Sequence, residues 1–171
     1  MRRVVFILVV ILLASSPLWA DYKEAIQRGD FATALKEVSP LAQQGNSEAQ
    51  FYLGSIYDYG HGVPQNYGGA MKWYRKAAEQ NHAGAQCNLG RMYYEGNGVP
   101  QNYTEAVKWY RKSADQEYAS AQFYLGVMYD NGYGVQKNEA EAVMWFKKAA
   151  DQGDIAAKSV LDMRKSLGLP Y

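Results

Sequence analysis

The sequence predicts an all-α solenoid of about nine helices, most of them in pairs that recur with a fixed period of 36 residues. Three observations carry that prediction. Trp73, Trp109 and Trp145 mark one slot of the period, and Leu53-Gly54, Leu89-Gly90 and Leu125-Gly126 mark another. The run from Gln65-Asn66-Tyr67 to Ala77-Ala78 recurs from Gln101 to Ala114 and, with changes, from Lys137 to Ala150. A repeat of this length is one supersecondary unit that cannot bury its apolar face alone, so the copies must stack.

Residues 1–20 stand apart from the repeats. Arg2 and Arg3 open the chain, Val4 to Ala14 is an unbroken apolar run of eleven residues, and Ser15, Ser16 and Pro17 interrupt it before Ala20. That layout predicts a secretory signal peptide cleaved after Ala20. The run is shorter than the roughly 20 residues of a membrane span, so no stable membrane insertion is expected after cleavage. No cysteine follows the run to accept a lipid. The protein is expected to be exported, periplasmic or secreted, and not a lipoprotein.

Residues 21–46 read as a divergent leading helix pair, with Gly29-Asp30 as stop and restart and Pro40 kinking the second helix. Residues 47–82, 83–118 and 119–154 are three full repeats of two helices each. In the first, Ala49, Leu53, Ile56 and Tyr57 share one helical face, and Ala70, Trp73, Tyr74, Ala77 and Ala78 share a second. Gly60-His61-Gly62-Val63-Pro64-Gln65 between them cannot continue a helix. Asn102 with Glu105, and Asn138 with Glu141, read as N-caps with a reciprocating Glu, whereas Gly69 predicts a weaker start in the first repeat. Gly45, Asn81 and Gly153 fall where a left-handed residue is wanted after each second helix, with Glu117 the exception. Arg75, Lys76, Arg111, Lys112, Lys147 and Lys148 read as solvated cations near helix C-termini. Residues 155–171 repeat the first-helix register at Ala157 and Leu161. They then turn polar at Lys158, Asp162, Arg164 and Lys165, as a capping helix and tail should.

Composition narrows the function. Loss of Arg2 and Arg3 with the leading segment takes the formal charge from +1 to −1, which makes no electrostatic case for nucleic acid. Cys87 is the sole cysteine, so no intramolecular disulfide can form. With two histidines besides, no metal-ligand cluster can be assembled by spacing. His82 and Cys87 lie five residues apart, a turn that points them away from each other, so a nucleophile–base pair is not expected. Gly60-His61-Gly62 and its copies follow a helix and lack a Lys-Ser/Thr ending, which marks structural turns, not phosphate loops.

The pattern Ala49-x-x-x-Leu53-Gly54-x-x-Tyr57, Gly60-x-Gly62-Val63-Pro64, Ala70-x-x-Trp73-Tyr74-x-x-Ala77-Ala78 resembles the Sel-one-like repeat family, a branch of the tetratricopeptide-like superfamily. The resemblance covers about residues 47 to 163, and the third copy departs from it at Gln136 and Phe146. It implies a right-handed α-solenoid that acts as an adaptor or scaffold for other proteins. In bacteria it implies exported members, some involved in host contact or cell-wall processes. Cysteine-rich exported relatives are described as penicillin-binding or β-lactamase-like, but they carry a cysteine pair in each repeat. This chain lacks those pairs and any Ser-x-x-Lys.

Comparison of the copies with one another locates a candidate face. On a wheel turning about 100° per residue, the slots of Ala49, Gln50, Leu53, Gly54 and Tyr57 share one arc, and each holds the same residue in all three copies. On the opposite side the copies differ: Phe51/Cys87/Phe123, Tyr52/Asn88/Tyr124, Ser55/Arg91/Val127, Asp58/Tyr94/Asp130 and Tyr59/Glu95/Asn131. The resemblance implies that this arc lines the concave face. The candidate groove is Phe51, Ser55, Asp58, Cys87, Arg91, Tyr94, Phe123, Val127 and Asp130, the alternative being that some of them simply pack against the adjacent unit. The expected function is a non-catalytic, cofactor-free monomer that binds a protein partner. The alternatives are a peptidoglycan binder using Tyr52, Tyr94 and Tyr124, and a hydrolase like the cysteine-rich relatives.

Overall fold

The computed structural model describes residues 21–171, and the signal-peptide expectation for residues 1–20 lies outside the described residues. Nine helices follow one another without a strand among the described residues: α1 (Asp21–Gln27), α2 (Phe31–Gln43), α3 (Ser47–Tyr59), α4 (Tyr67–Glu79), α5 (Ala83–Glu95), α6 (Tyr103–Ala114), α7 (Ala119–Asn131), α8 (Glu139–Asp151) and α9 (Ile155–Ser166). The substantial helix contacts all join consecutive helices, which is the quasi-one-dimensional packing of a solenoid.

The constant arc of each first helix is the packing arc. Ala49, Ala85 and Ala121 are fully buried, as are Leu89 and Leu125. Gly54, Gly90 and Gly126 let each second helix approach closely. A Cβ built there would lie 2.7, 2.6 and 2.7 Å from the rings of Tyr74, Tyr110 and Phe146. Only hydrogen fits. The constant glutamines make a second ladder. The Nε2 of Gln50, Gln86 and Gln122 donates to the carbonyls of Ala42, Ala78 and Ala114 at 3.1, 3.1 and 3.3 Å. Their Oε1 atoms accept from Gln80, Gln116 and Gln152 at 2.7, 2.7 and 2.8 Å, so each repeat satisfies the previous helix end.

Each first helix ends on a left-handed glycine, Gly60, Gly96 or Gly132. In the turn, Gly62 and Gly98 also have positive φ, and a Cβ on either would meet Phe31 or Tyr67 within 2.9 and 2.8 Å. The turn glycines therefore hold each loop against the preceding second helix. Asn66, Asn102 and Asn138 cap the second helices by accepting from the backbone N–H of Gly69, Glu105 and Glu141. Gly69 does not prevent the first of these bonds.

Three expectations change on the folded chain. The Glu105 carboxylate accepts from Lys108 Nζ at 2.6 Å instead of turning back to its cap. Glu117 is no conformational exception: its φ of 61° places it in the left-handed region with Gly45, Asn81 and Gly153. The second-helix cations are not merely solvated. Arg75 donates to the Tyr93 hydroxyl at 2.9 Å, and Arg111 pairs with Tyr129. Lys76, Lys112 and Lys148 lie 4.7, 4.5 and 4.4 Å from the ring centroids of Trp73, Trp109 and Trp145.

Candidate functional site

The varying arc of α3, α5 and α7 splits into buried and accessible parts. Asp58 and Cys87 are buried. Neither can touch a partner at the surface, so both are withdrawn as contact residues. The reason is chemical in each case. The Asp58 carboxylate is consumed inside: its Oδ2 accepts from the Tyr74 hydroxyl at 3.1 Å and from Arg91 of the next repeat. Cys87 belongs to the core cluster around Tyr110, Leu125 and Met128. Burial pushes its thiol up to about 12, against the pull of Arg91, which leaves it protonated and unfit as a nucleophile.

Arg91 holds the centre of the face. It bonds Asp58 behind it and Glu95 Oε2 at 2.8 Å beside it, and Glu95 also accepts from Asn97 Nδ2 at 2.7 Å. Burial disfavours the Arg91 charge, but Asp58 and Glu95 outweigh it and raise its pKa above the ordinary guanidinium value. The cluster ties repeat 1 to repeat 2 and leaves one carboxylate at the surface.

The other candidates divide among three places. Phe51 stacks on His82 at 4.7 Å, and His82 itself caps α5, Nδ1 accepting from Ala85 N–H at 3.2 Å. With Nδ1 an acceptor, Nε2 carries the proton toward Glu48 Oε2 at 3.0 Å, and Glu48 also takes Lys23 Nζ at 2.8 Å. Ser55 lies in an open recess of about 220 Å³ with Phe31, Tyr52, Tyr59 and His61. The His61 ring stacks on Phe31 at 4.2 Å. Tyr94 packs with Tyr103 and Tyr133, their centroids 5.4 and 6.2 Å away. Phe123 and Val127 pack on the α8 cluster around Phe146, and Asp130 accepts from Arg164 at 2.8 Å. Phe51, Phe123 and Val127 thus spend much of their surface on neighbouring units. Arg164 is buried and also bonds the Pro170 carbonyl at 2.7 Å, so it belongs to the interior and not to the polar outer face of the cap.

Two accessible rings lie outside the candidate groove, Tyr59 on the varying arc and Tyr118, which the sequence pattern did not single out. Tyr59 is 57% exposed and Tyr118 38% exposed. Burial first, then the electrostatic influence of Cys87 and Tyr59, raises the Tyr118 pKa. A signal for Tyr118 was available. It occupies an N-cap slot, where Asn46 and His82 accept a backbone N–H, yet makes no side-chain cap bond. A phenol at a capping position is there for another reason than capping.

No group of three or more His, Cys, Asp or Glu among the described residues could hold a metal ion. No described helix is long and apolar enough to cross a membrane.

The family model described as Sel1 repeat matches residues 47–82, 83–118 and 119–154. The structure is similar to that of a Sel1 repeat protein from Oxalobacter formigenes, with 39% identity and a TM-score of 0.79 over 87% of this chain and 61% of that one. It is also similar to c5321, a protective antigen present in uropathogenic Escherichia coli strains displaying an SLR fold. There the identity is 42% and the TM-score 0.76, over 80% of this chain and 29% of the other. Helicobacter pylori cysteine rich protein B shares 25% identity, with a TM-score of 0.56 over 82% of this chain and 94% of its own. The chain therefore spans less than two thirds of the first two relatives. A comparison with curated proteins finds no match.

Proposed function

Because the chain belongs to the Sel1-repeat family, whose fold commonly mediates protein–protein interaction, we propose that it is a non-catalytic adaptor binding a segment of another protein across its first helices. One observation carries the reading. The exposed ring of Tyr59, on the arc where the copies differ, and that of Tyr118, at the N-cap of α7, flank α5, which carries Arg91 and Glu95 and reaches back to Asp58 on α3. Tyrosine and arginine are the residue types that anchor interfaces, and both rings keep a large share of their surface open to solvent. Ser55, Arg91, Tyr94 and Asp130 complete the proposed contact set. The exported location, periplasmic or secreted, belongs to the same proposal and rests on the pattern of residues 1–20.

The test is a crosslinking pull-down from envelope extract with the full chain and with a Tyr59→Ala, Tyr118→Ala variant. Both substitutions sit on exposed rings, so the variant is expected to keep the helical circular-dichroism spectrum and the melting temperature. A protein captured by the first and lost by the second supports the adaptor reading. Equal capture by both removes the face from consideration. A second reading, a binder of cell-wall glycan, draws on the aromatic recess of Phe31, Tyr52, Tyr59 and His61. Soluble peptidoglycan fragments would then raise the melting temperature of the full chain but not of a Tyr59→Ala, His61→Ala variant.

A further inference from the structure

The chain carries two Asn-Gly pairs, Asn97-Gly98 and Asn131-Gly132, and the fold sets them in different surroundings. In such a pair the glycine's backbone nitrogen can attack the asparagine's side-chain carbonyl. Glycine hinders that ring closure least, because no Cβ shields its nitrogen. Two conditions decide whether the reaction runs in a folded chain. The attacking N–H must be free, and the side-chain carbon must be able to reach it.

Asn131 fails on both counts. It is the last residue of α7, and Gly132 spends its N–H on the Met128 carbonyl as the helix cap. A helical Cα–Cβ bond tilts toward the helix N-terminus, which carries the Asn131 amide away from the nitrogen that follows it. That amide is also tied back, its Nδ2 donating to the Val127 carbonyl at 2.9 Å. Ring closure there needs the end of α7 to unwind.

Asn97 lies past the end of its helix. Gly96 is the left-handed cap of α5, and the N–H groups of Gly96 and Asn97 share the Met92 carbonyl at 2.9 and 3.0 Å. The N–H of Gly98 makes no hydrogen bond among the described residues, and Gly98 is exposed. The Asn97 side chain is held only at the surface, where its Nδ2 donates to Glu95 Oε2 at 2.7 Å. Asn131 is the more exposed of the two asparagines, so accessibility alone would rank them in the opposite order.

We infer that Asn97 is a site of spontaneous deamidation, which the folded chain permits there and withholds at Asn131. The Gly98 nitrogen gives its proton to hydroxide and bonds to Asn97 Cγ. The Cγ–Nδ2 bond then breaks, and ammonia leaves with a proton from water, which regenerates the hydroxide and closes a cyclic imide. Water opens the imide at either carbonyl. Attack at Cγ gives aspartate, and attack at the backbone carbonyl gives isoaspartate, with the main chain rerouted through the side chain. The sum is amide plus water to carboxylate plus ammonium, with no oxidant or reductant.

Either product changes its surroundings. The bond to Glu95 is lost, and a second carboxylate stands beside Glu95 and its Arg91 partner. The face proposed for a protein partner gains a negative charge; that consequence rests on the proposed face, and the chemistry does not. Isoaspartate also adds a main-chain atom to a closely packed turn. A Cβ on Gly98 would come within 2.8 Å of the Tyr67 backbone, so the isoaspartyl chain should melt lower.

The test holds the full chain, folded and in urea, at mildly alkaline pH in heavy-oxygen water, with its peptides mapped by mass spectrometry. In the folded chain, labelled aspartate and isoaspartate should accumulate at position 97 at least about tenfold faster than at position 131, where the bonds of Asn131 and Gly132 must first break. In urea the two rates should converge to within about threefold, because the reacting pair is the same. Asn97→Gln, whose longer side chain closes a larger and slower ring, should abolish the change there and leave the circular-dichroism spectrum unaltered. Modification at position 131 as fast as at position 97 in the folded chain overturns the inference. So does acid without isoaspartate, which would mean that no imide forms, or a tenfold preference that persists in urea, which would trace to neighbouring sequence instead of the fold.

Discussion

Tyr74 donates its phenolic proton to Oδ2 of Asp58 at 3.1 Å, both side chains buried. One repeat on, the acceptor slot holds Tyr94, and the Tyr110 hydroxyl is buried without a partner. Two repeats on, Phe146 has no hydroxyl and the acid, Asp130, takes Arg164. The same slot thus appears in satisfied, unsatisfied and apolar forms within one chain. Removing a satisfied buried hydroxyl loses a bond worth about 1–2 kcal/mol, whereas removing an orphaned one relieves a desolvation cost of similar size. Tyr74→Phe should therefore lower the urea midpoint. Tyr110→Phe should leave the midpoint unchanged or raise it, by an amount equivalent to at most about 1 kcal/mol of unfolding free energy at constant slope. Equal losses from the two would show that Tyr110 finds an acceptor.

The glycines separate in the same way. Gly90→Ala forces a Cβ to within 2.7 Å of the Tyr110 ring, which is buried and cannot withdraw. Overpacking of that kind costs about 1–3 kcal/mol. Gly68, in the first turn of α4, has no neighbour closer than 3.5 Å to a built Cβ. There alanine should stabilise by about 0.5–1 kcal/mol through helix propensity. Opposite signs from one substitution at two helical glycines, read by thermal unfolding, would confirm that the constant glycines serve close packing. A loss at Gly68 as large as that at Gly90 would count against it.

Glu117 was legible in the sequence as a slot and illegible as a conformation. The period placed it level with Gly45, Asn81 and Gly153, and its side chain then argued against the left-handed turn that the other three announce. The neighbouring helices fix both ends of the connection, and Glu117 accepts a φ of 61° as the consequence. Glu117→Gly should raise stability by about 0.5–1 kcal/mol, the strain relieved less the entropy that glycine adds to the unfolded chain. Thermal unfolding checks it, and a lower melting temperature for Glu117→Gly would mean that the glutamate side chain has a role of its own.

The fold was legible because stacking makes identical demands three times over. Alanine, leucine and glycine recur where a neighbour presses, and the period exposes them. The face proposed for binding was legible only as the arc where that pressure is absent. Which of its residues reach solvent depends on partners on other helices, 16 and 33 positions away in sequence for Asp58, and no local pattern reports them. Asp58 looks like any surface acid until Tyr74 and Arg91 close over it. Cys87 and Phe123 share a slot, yet only the cysteine is fully buried. Gln80, Gln116 and Gln152 recur at the period and could have been read as partners of Gln50, Gln86 and Gln122.

Glu48 joins the leading pair to the repeats, and its pH dependence has a defined sign. Burial alone would raise its carboxyl, but hydrogen bonds from Lys23 and His82, with the charge of Lys23, outweigh burial and hold it below the ordinary carboxylate range. A depressed pKa contributes stability that is fully present above the unfolded value of about 4.3 and is lost as pH falls through the lower folded value. Glu48→Gln should therefore lower the melting temperature at neutral pH, and the gap between variant and parent should close at strongly acidic pH. A gap that stays constant across that range would show that the carboxylate charge contributes nothing there.

Cys87 offers a test of the interior itself. Its thiol is pushed up to about 12 by burial between α5 and the following repeat, against an ordinary value near 8.5. At neutral pH this leaves about a thousandfold less thiolate than an exposed cysteine carries, and thiolate is the reacting form. A thiol-specific disulfide reagent should therefore modify the native chain at least about a thousandfold more slowly than the urea-unfolded chain, with burial slowing it further. Tyr110→Phe leaves the thiol enclosed and should keep the slow rate. Gly90→Ala loosens the joint beside it, and should raise the rate in proportion to the stability it removes. Native modification within about tenfold of the unfolded rate would mean that α5 and α7 part readily in the folded chain, and would return Cys87 to the accessible face.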